Sequence, residues 1–161
     1  VLDVGTGSGV LAIAAASAGA LVVAVDSNPA AVDCARINAG TNGVDDRVEI
    51  RLGDLFEPVT GEKFDLVLCN PPYFPGQPTT PLETAFRAGD FGRRFARDLG
   101  DHLAESGRAL VVLSSLGDEP AFLTAFADAG LEVEILRRRN LVSEIATLFE
   151  VYSPSDGSRS R

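Results

Sequence analysis

Asn70-Pro71-Pro72-Tyr73 is the tetrapeptide of this chain best suited to chemistry. Two consecutive prolines hold φ near about −65° and donate no hydrogen bonds, and a residue that precedes proline is driven into extended backbone. The result is a stiff projection offering an amide oxygen on Asn70, a backbone carbonyl on Pro71 and the ring of Tyr73. Acceptors of this kind suit a reaction at an amide or exocyclic amine nitrogen. Such a nitrogen is a poor nucleophile because its lone pair is delocalised into the adjacent π system. Accepting both N–H protons holds the nitrogen and favours pyramidalisation as an electrophilic carbon arrives. The positive charge that develops is then stabilised more in the transition state than in the ground state. The plainer alternative is a proline turn that ends a strand, with Tyr73 packed beside it.

A second group lies about 65 residues upstream, in Asp3-Val4-Gly5-Thr6-Gly7-Ser8-Gly9. Glycines in such a turn permit positive φ and let a ligand approach the backbone. Asp26, with Ser27 after it, ends the next apolar run, where a carboxylate can accept hydrogen bonds from two ribose hydroxyls. A nucleoside-bearing ligand fits this set. A dinucleotide fits less well, because G-x-G-x-x-G needs a small residue where Val10 stands. Asp3 would also set an anion near a pyrophosphate, whereas it suits a cationic ligand. S-adenosylmethionine has no phosphate and carries a sulfonium and an ammonium group. The alternative for these residues is a tight turn whose aspartates cap helices.

The stretch Val1–Gly9 resembles the first motif of class I S-adenosylmethionine-dependent methyltransferases. With Asn70-Pro71-Pro72-Tyr73 added, the chain is similar to their amino-methylating members, and most to the HemK-type family that methylates the glutamine of peptide-chain release factors. The resemblance implies S-adenosylmethionine as cofactor, held by Asp3, Gly5, Gly7, Gly9, Asp26, Ser27 and Asn70. It gives Asp54 and Leu55, in Leu52-Gly53-Asp54-Leu55-Phe56, to the adenine, and makes Asn70, Pro71, Pro72 and Tyr73 the catalytic corner. Phe56 either stacks on adenine or belongs to the core. Residues 83–92 are similar to the acidic, then glycine-rich passage that follows the motif in this family, but depart from its Glu-Pro and Asp-Gly-Leu forms.

The elements that must carry these residues alternate along the chain. Apolar strands are expected at Val1–Val4, Leu21–Val25, Arg47–Leu52, Phe64–Cys69 and Ala109–Leu113. Between them fall a small-residue helix over Val10–Ala18 and a helix opened by Ser27-Asn28-Pro29 that runs to Ala39, with Gly40 just past its end. Prolines and threonines mark residues 74–84 as a loop, after which Phe91, Phe95, Leu99 and Leu103 recur at four-residue spacing until Gly107. Asp118-Glu119-Pro120 opens a helix with Phe122, Leu123, Phe126 and Ala129 on one face, closed by Gly130. Strands Leu131–Leu136 and Ile145–Tyr152 then face each other across Arg137–Val142, and no helix separates them, so the last enters antiparallel. Alternation of this kind implies a doubly wound, mostly parallel α/β sheet; seven strands is what the resemblance implies. One domain over residues 1–152 and a disordered polar tail at 153–161 are expected.

Composition bounds the partners. The 161 residues carry 14 Lys and Arg against 23 Asp and Glu, a formal charge of −9, and 45% are hydrophobic. Two cysteines and a single histidine, His102, argue against both a disulfide scaffold and a metal centre. Reduced thiols suit a cytoplasmic protein, and no apolar run approaches the roughly 20 residues of a membrane helix. A nucleic-acid acceptor would call for clustered Lys and Arg, yet Lys63 is the one lysine. The acidic balance therefore favours a protein substrate, a release factor by the resemblance, over an exocyclic amine of adenine or guanine in RNA or DNA. A non-catalytic cofactor-binding subunit is the other alternative. Arg93, Arg94 and Arg97 on one helix and Arg137, Arg138 and Arg139 near the last hairpin suit a solvated face or strand end, but the first group lies just downstream of the proline corner and is the candidate to help dock substrate. Nothing makes His102 catalytic; it belongs at a helix edge, and Cys69 and Cys34 pack as small apolar side chains.

Overall fold

The computed structural model describes residues 1–72 and 90–154. Within them, β1 (Leu2–Val4), β2 (Val22–Asp26), β3 (Val48–Leu52), β4 (Phe64–Cys69), β5 (Leu103–Ser114), β6 (Glu132–Leu141) and β7 (Glu144–Tyr152) form one sheet. The order is β3-β2-β1-β4-β5-β7-β6. Neighbours among β1 to β5 pair in parallel, and β7 runs antiparallel to both β5 and β6. The α/β, doubly wound, seven-stranded sheet with an antiparallel last strand is thus as expected. Strand order reverses between β1 and β4, which opens a crevice above their carboxyl ends.

Helices cover both faces. Alternation along β1 and β2 sends Leu2, Val4 and Val25 to one face, where they pack with α3 (Phe91–His102) and α4 (Glu119–Asp128). Phe95 and Phe126 are fully buried there and meet edge to face with centroids 6.3 Å apart. Burying a side chain of that size stabilises by roughly 1.5–3 kcal/mol. Val22, Ala24 and Val48 point the other way, onto α1 (Val10–Ser17) and α2 (Pro29–Thr41). Here the contacts are small, Ala12, Ala16 and Ala39, so helices and sheet approach closely. Asn28 caps α2 by accepting from the Ala30 amide at 3.0 Å, and Pro29 takes the first turn.

Several boundaries differ from the sequence expectation. Gly40 lies inside α2, and the left-handed residue after the helix is Gly43, at φ +66°. Leu103 begins β5 instead of ending α3. Gly107 does not precede the strand but sits in it, where pairing jumps from Phe64–Leu103 to Leu66–Arg108. A Cβ there would lie 2.6 Å from the Phe64 carbonyl oxygen, so glycine is required by close backbone approach. Arg137 to Leu141 continue β6, paired along β7, where a connection was expected. Leu21 precedes β2 and is exposed, and Ala125, not Ala129, completes the buried face of α4. The expected loop at 74–84, most of the passage at 83–92 and tail residues 155–161 lie outside the described residues.

Candidate cofactor and acceptor site

Sheet register brings the sequence-predicted residues to one edge. Val4 pairs with Val25 on one side and Cys69 on the other, and Asp26 pairs with Leu52. The next residues, Gly5, Asp26, Gly53 and Asn70, therefore stand together at the carboxyl ends of β1, β2, β3 and β4. Residues separated by 65 positions in the chain, Gly5 and Asn70, become neighbours through a parallel pairing.

The glycine turn is held from all sides. Gly5 and Thr6 amides donate to the Val25 carbonyl at 2.9 and 3.0 Å, which bends the chain over the end of β2. Gly5, Gly7 and Gly9 have φ of +72°, +56° and +85°, the left-handed region that favours glycine. Asp26 Oδ2 accepts from the Gly7 amide at 2.8 Å and Oδ1 from the Asn28 amide at 2.9 Å. Asn38 of α2 donates to the Ser8 carbonyl at 2.8 Å. A Cβ on Gly9 would lie 3.2 Å from Ala35 Cβ, so the turn is also wedged against α2. Asp26 is half-buried and Ser27 exposed beside it. The carboxylate thus shapes the loop and still borders solvent, where hydroxyls can reach it.

Asp3 is fully inside. Its Oδ2 accepts from the Thr6 hydroxyl at 2.7 Å and from the Ala12 amide, at the start of α1, at 3.1 Å. The helix-capping alternative is therefore realised, but it uses one oxygen. Oδ1 is buried with no hydrogen-bond partner among the described residues. Burial raises the carboxyl to about 6, against the hydrogen bonds from Thr6 and Ala12 that lower it. A buried carboxylate oxygen without a donor is costly, and a cation held in the adjoining turn would offset that cost. The orphaned atom is the observation that fits a sulfonium- and ammonium-bearing cofactor.

The proline corner follows β4 directly. Asn70 is exposed at the strand end, Pro71 is buried and Pro72 half-buried. The diproline is therefore packed into the protein, and Asn70 follows β4 at the same sheet edge as the glycine turn. Tyr73, the fourth catalytic candidate, lies outside the described residues.

Comparison with known proteins agrees with this fold. The profile of the family described as "Methyltransferase small domain" matches residues 1–134. The chain belongs to the methyltransferase small domain family. It is 39% identical over 147 residues to a protein named as a protein N5-glutamine methyltransferase of Methanocaldococcus jannaschii, covering 86% of this chain and 73% of the relative. It is 40% identical over 146 residues to the ribosomal protein uL3 glutamine methyltransferase of Bradyrhizobium diazoefficiens, with coverages of 89% and 43%. The release factor glutamine methyltransferase of Gloeobacter violaceus is 35% identical over 133 residues, with coverages of 73% and 46%. The chain thus spans less than half the length of the latter two relatives. Among solved structures, the ribosomal protein L11 methylase of Lactobacillus delbrueckii subsp. bulgaricus superposes with a TM-score of 0.67 at 27% identity, over 92% of this chain and 67% of that one.

In this methyltransferase the cofactor is S-adenosylmethionine. The turn after β3 completes the edge. The Gly53 amide donates to the Asp26 carbonyl at 3.0 Å, and a Cβ at Gly53 would strike Pro58 Cγ at 2.3 Å. Leu55 is buried at φ +49°, the one non-glycine residue with positive φ among those described. Such a conformation persists only where the surrounding structure holds the turn. Asp54 is half-exposed and forms an ion pair with Arg94 of α3. Sequence reasoning placed Arg94 at a substrate surface and missed this contact, which joins residues 40 apart. Arg97 pairs with Asp98 at 2.7 Å, and Arg93 is exposed.

Other candidates resolve into structure. Phe56 is core: it stacks on Phe95 with centroids 5.5 Å apart and on His102 at 4.6 Å. His102 is accordingly buried, not at a helix edge, and its Nδ1 lies 3.0 Å from the Glu62 carbonyl oxygen. Cys69 is buried, and burial with the nearby charge of Asp3 drives its thiol well above the ordinary range, which leaves it unreactive. Cys34 is exposed, contrary to its expected packing. Among the described residues no group of His, Cys, Asp and Glu could hold a metal ion, and no helix is long and apolar enough to cross a membrane.

Proposed function

We propose that this chain methylates the side-chain amide nitrogen of a glutamine in a protein of translation, a peptide-chain release factor in the first instance. The observation that supports the reading is the register of β1 with β4, which brings Asn70 level with Gly5 at the start of the glycine turn. Asp3, Gly5, Gly7 and Gly9 would hold the methionine end, Asp26 and Ser27 the ribose, and Asp54 with Leu55 the adenine. When bound, S-adenosylmethionine supplies an electrophilic methyl group on a sulfonium.

The chain's own work lies on the acceptor side. The Asn70 side-chain oxygen and the Pro71 carbonyl accept the two N–H bonds of the glutamine amide. Its nitrogen is thereby oriented for in-line displacement, and charge developing on it meets fixed dipoles. Tyr73 would cover the planar amide. No strong base is needed before transfer, because the charged product nitrogen readily loses its proton. The names of the relatives, two of them glutamine methyltransferases of ribosomal protein or release factor, support a protein acceptor. Free thiols at Cys34 and Cys69 suit a cytoplasmic enzyme.

The test is a competition. Release factor, ribosomal protein uL3, RNA and DNA are offered together with methyl-labelled cofactor, and label is expected in release factor. Label confined to RNA or DNA would transfer the reading to an exocyclic base amine. Cofactor binding without label anywhere would favour a non-catalytic subunit.

A further inference from the structure

We propose that Arg94 is a positioning residue for the cofactor: it orients the Asp54 carboxylate so that one oxygen meets the exocyclic amine of adenine. The inference rests on the assignment of Asp54 to the adenine made above. Asp54 sits in a turn whose backbone is already fixed, by the Gly53 amide on the Asp26 carbonyl and by Leu55 in the left-handed region. Its side chain is not fixed by that turn. Arg94 Nη2 donates to Oδ2, and among the described residues Oδ1 takes no protein donor. One oxygen is thus held and the other left to accept from a ligand amine.

The helix that carries Arg94 is a firm support. Phe95, the next residue, is fully buried and stacks on both Phe91 and Phe56. Phe56 belongs to the same chain segment as Asp54, so an apolar contact already docks α3 on this turn. The ion pair adds little to that docking, because its side chains are 35% and 41% exposed and pairs so open to solvent contribute little to folding. Its consequence is geometric. A charge-assisted hydrogen bond from Nη2 fixes where Oδ2 lies and so turns Oδ1 away from Arg94. The same contact, chiefly through its hydrogen bond to Asp54, raises the pKa of Arg94.

The experiment measures equilibrium binding of two ligands to the 161-residue chain. One is S-adenosylhomocysteine; the other is its analogue with unsubstituted purine in place of adenine, which lacks only the exocyclic amine. Arg94→Gln is expected to weaken the adenine ligand about tenfold and to leave the purine analogue unchanged. Arg94→Lys recovers part of the loss. Asp54→Ala shows the same selectivity, and Asp54→Ala with Arg94→Gln is no worse than Asp54→Ala alone. Selective loss in Asp54→Ala with wild-type binding in Arg94→Gln overturns the proposal and leaves the adenine assignment standing. Equal weakening of both ligands by Arg94→Gln overturns it in favour of a merely structural pair. No selectivity in Asp54→Ala removes the adenine assignment itself.

Discussion

Asp3 illustrates how one buried oxygen ties stability to ligand binding. Its carboxyl is raised to about 6 from an ordinary value of 3.8, chiefly by burial. The folded chain therefore holds this proton more tightly than the unfolded chain does. The stabilising contribution is full below about 4 and is lost as pH rises through about 6. Asp3→Asn is accordingly expected to be more stable than wild type at pH 8, by up to about 3 kcal/mol, with the gap narrowing as pH falls from about 6 and closing below about 4; denaturation at pH 8 and at pH 4 checks it. A cation favours the ionised form, so affinity for S-adenosylmethionine is expected to rise with pH through about 6 in wild type and to be weaker and flat in Asp3→Asn. Titration calorimetry across that range decides it. At Asn70 the expectation concerns rate. Asn70→Ala lowers kcat by about 10²-fold, far more than it weakens cofactor binding, as steady-state kinetics and a binding isotherm together would show. These positions stood out in the sequence because glycine and proline have restricted backbone physics and a carboxylate within an apolar run is costly to bury. The Asp54–Arg94 pair did not, since no local rule relates residues 40 apart.

At the scale of elements, two glycines at α2, one packed against it and one within it, respond to substitution with opposite signs. Gly9, at φ +85°, would press a Cβ against Ala35 of α2 at 3.2 Å. Gly9→Ala is expected to cost about 1–3 kcal/mol and to weaken cofactor binding, both measurable by urea denaturation and calorimetry. Gly40 is helical, and a Cβ there meets nothing within 4 Å. Gly40→Ala is expected to stabilise by about 0.5–1 kcal/mol without changing activity. The helix was expected to stop at Gly40 because glycine so often follows a helix, whereas here Gly43 fills that role. β4 was read to the residue because an unbroken apolar run met an abrupt stop at Asn70-Pro71. β6 was cut short because Arg137, Arg138 and Arg139 lack alternation; the strand is exposed along nearly all its length, so burial imposed no pattern on it. Leu103 kept helical spacing and yet starts β5, since spacing alone does not distinguish the last turn of a helix from the first residue of a strand.

For the molecule as a whole, charge separates the acceptor classes. A net −9 repels polyanions, and two of the three arginines on α3 are paired with Asp54 and Asp98. No binding of RNA or duplex DNA is therefore expected near physiological salt, at about 0.15 M, with fluorescence anisotropy as the measure; tight binding with a steep salt dependence would contradict this. The doubly wound sheet was readable from alternation of elements, but only the pairing of β1 with β2 and β4 gathers Gly5, Asp26 and Asn70 at one edge. That gathering is the central claim, and a crystal structure with S-adenosylhomocysteine tests it most directly. Expected are the ribose on Asp26, the adenine beside Asp54, and the sulfur facing the Asn70 side-chain oxygen at about 6 Å, which leaves room for a methyl group and a nitrogen hydrogen-bonded to that oxygen. A ligand bound away from this edge, or an Asn70 side chain turned from the sulfur, would contradict it.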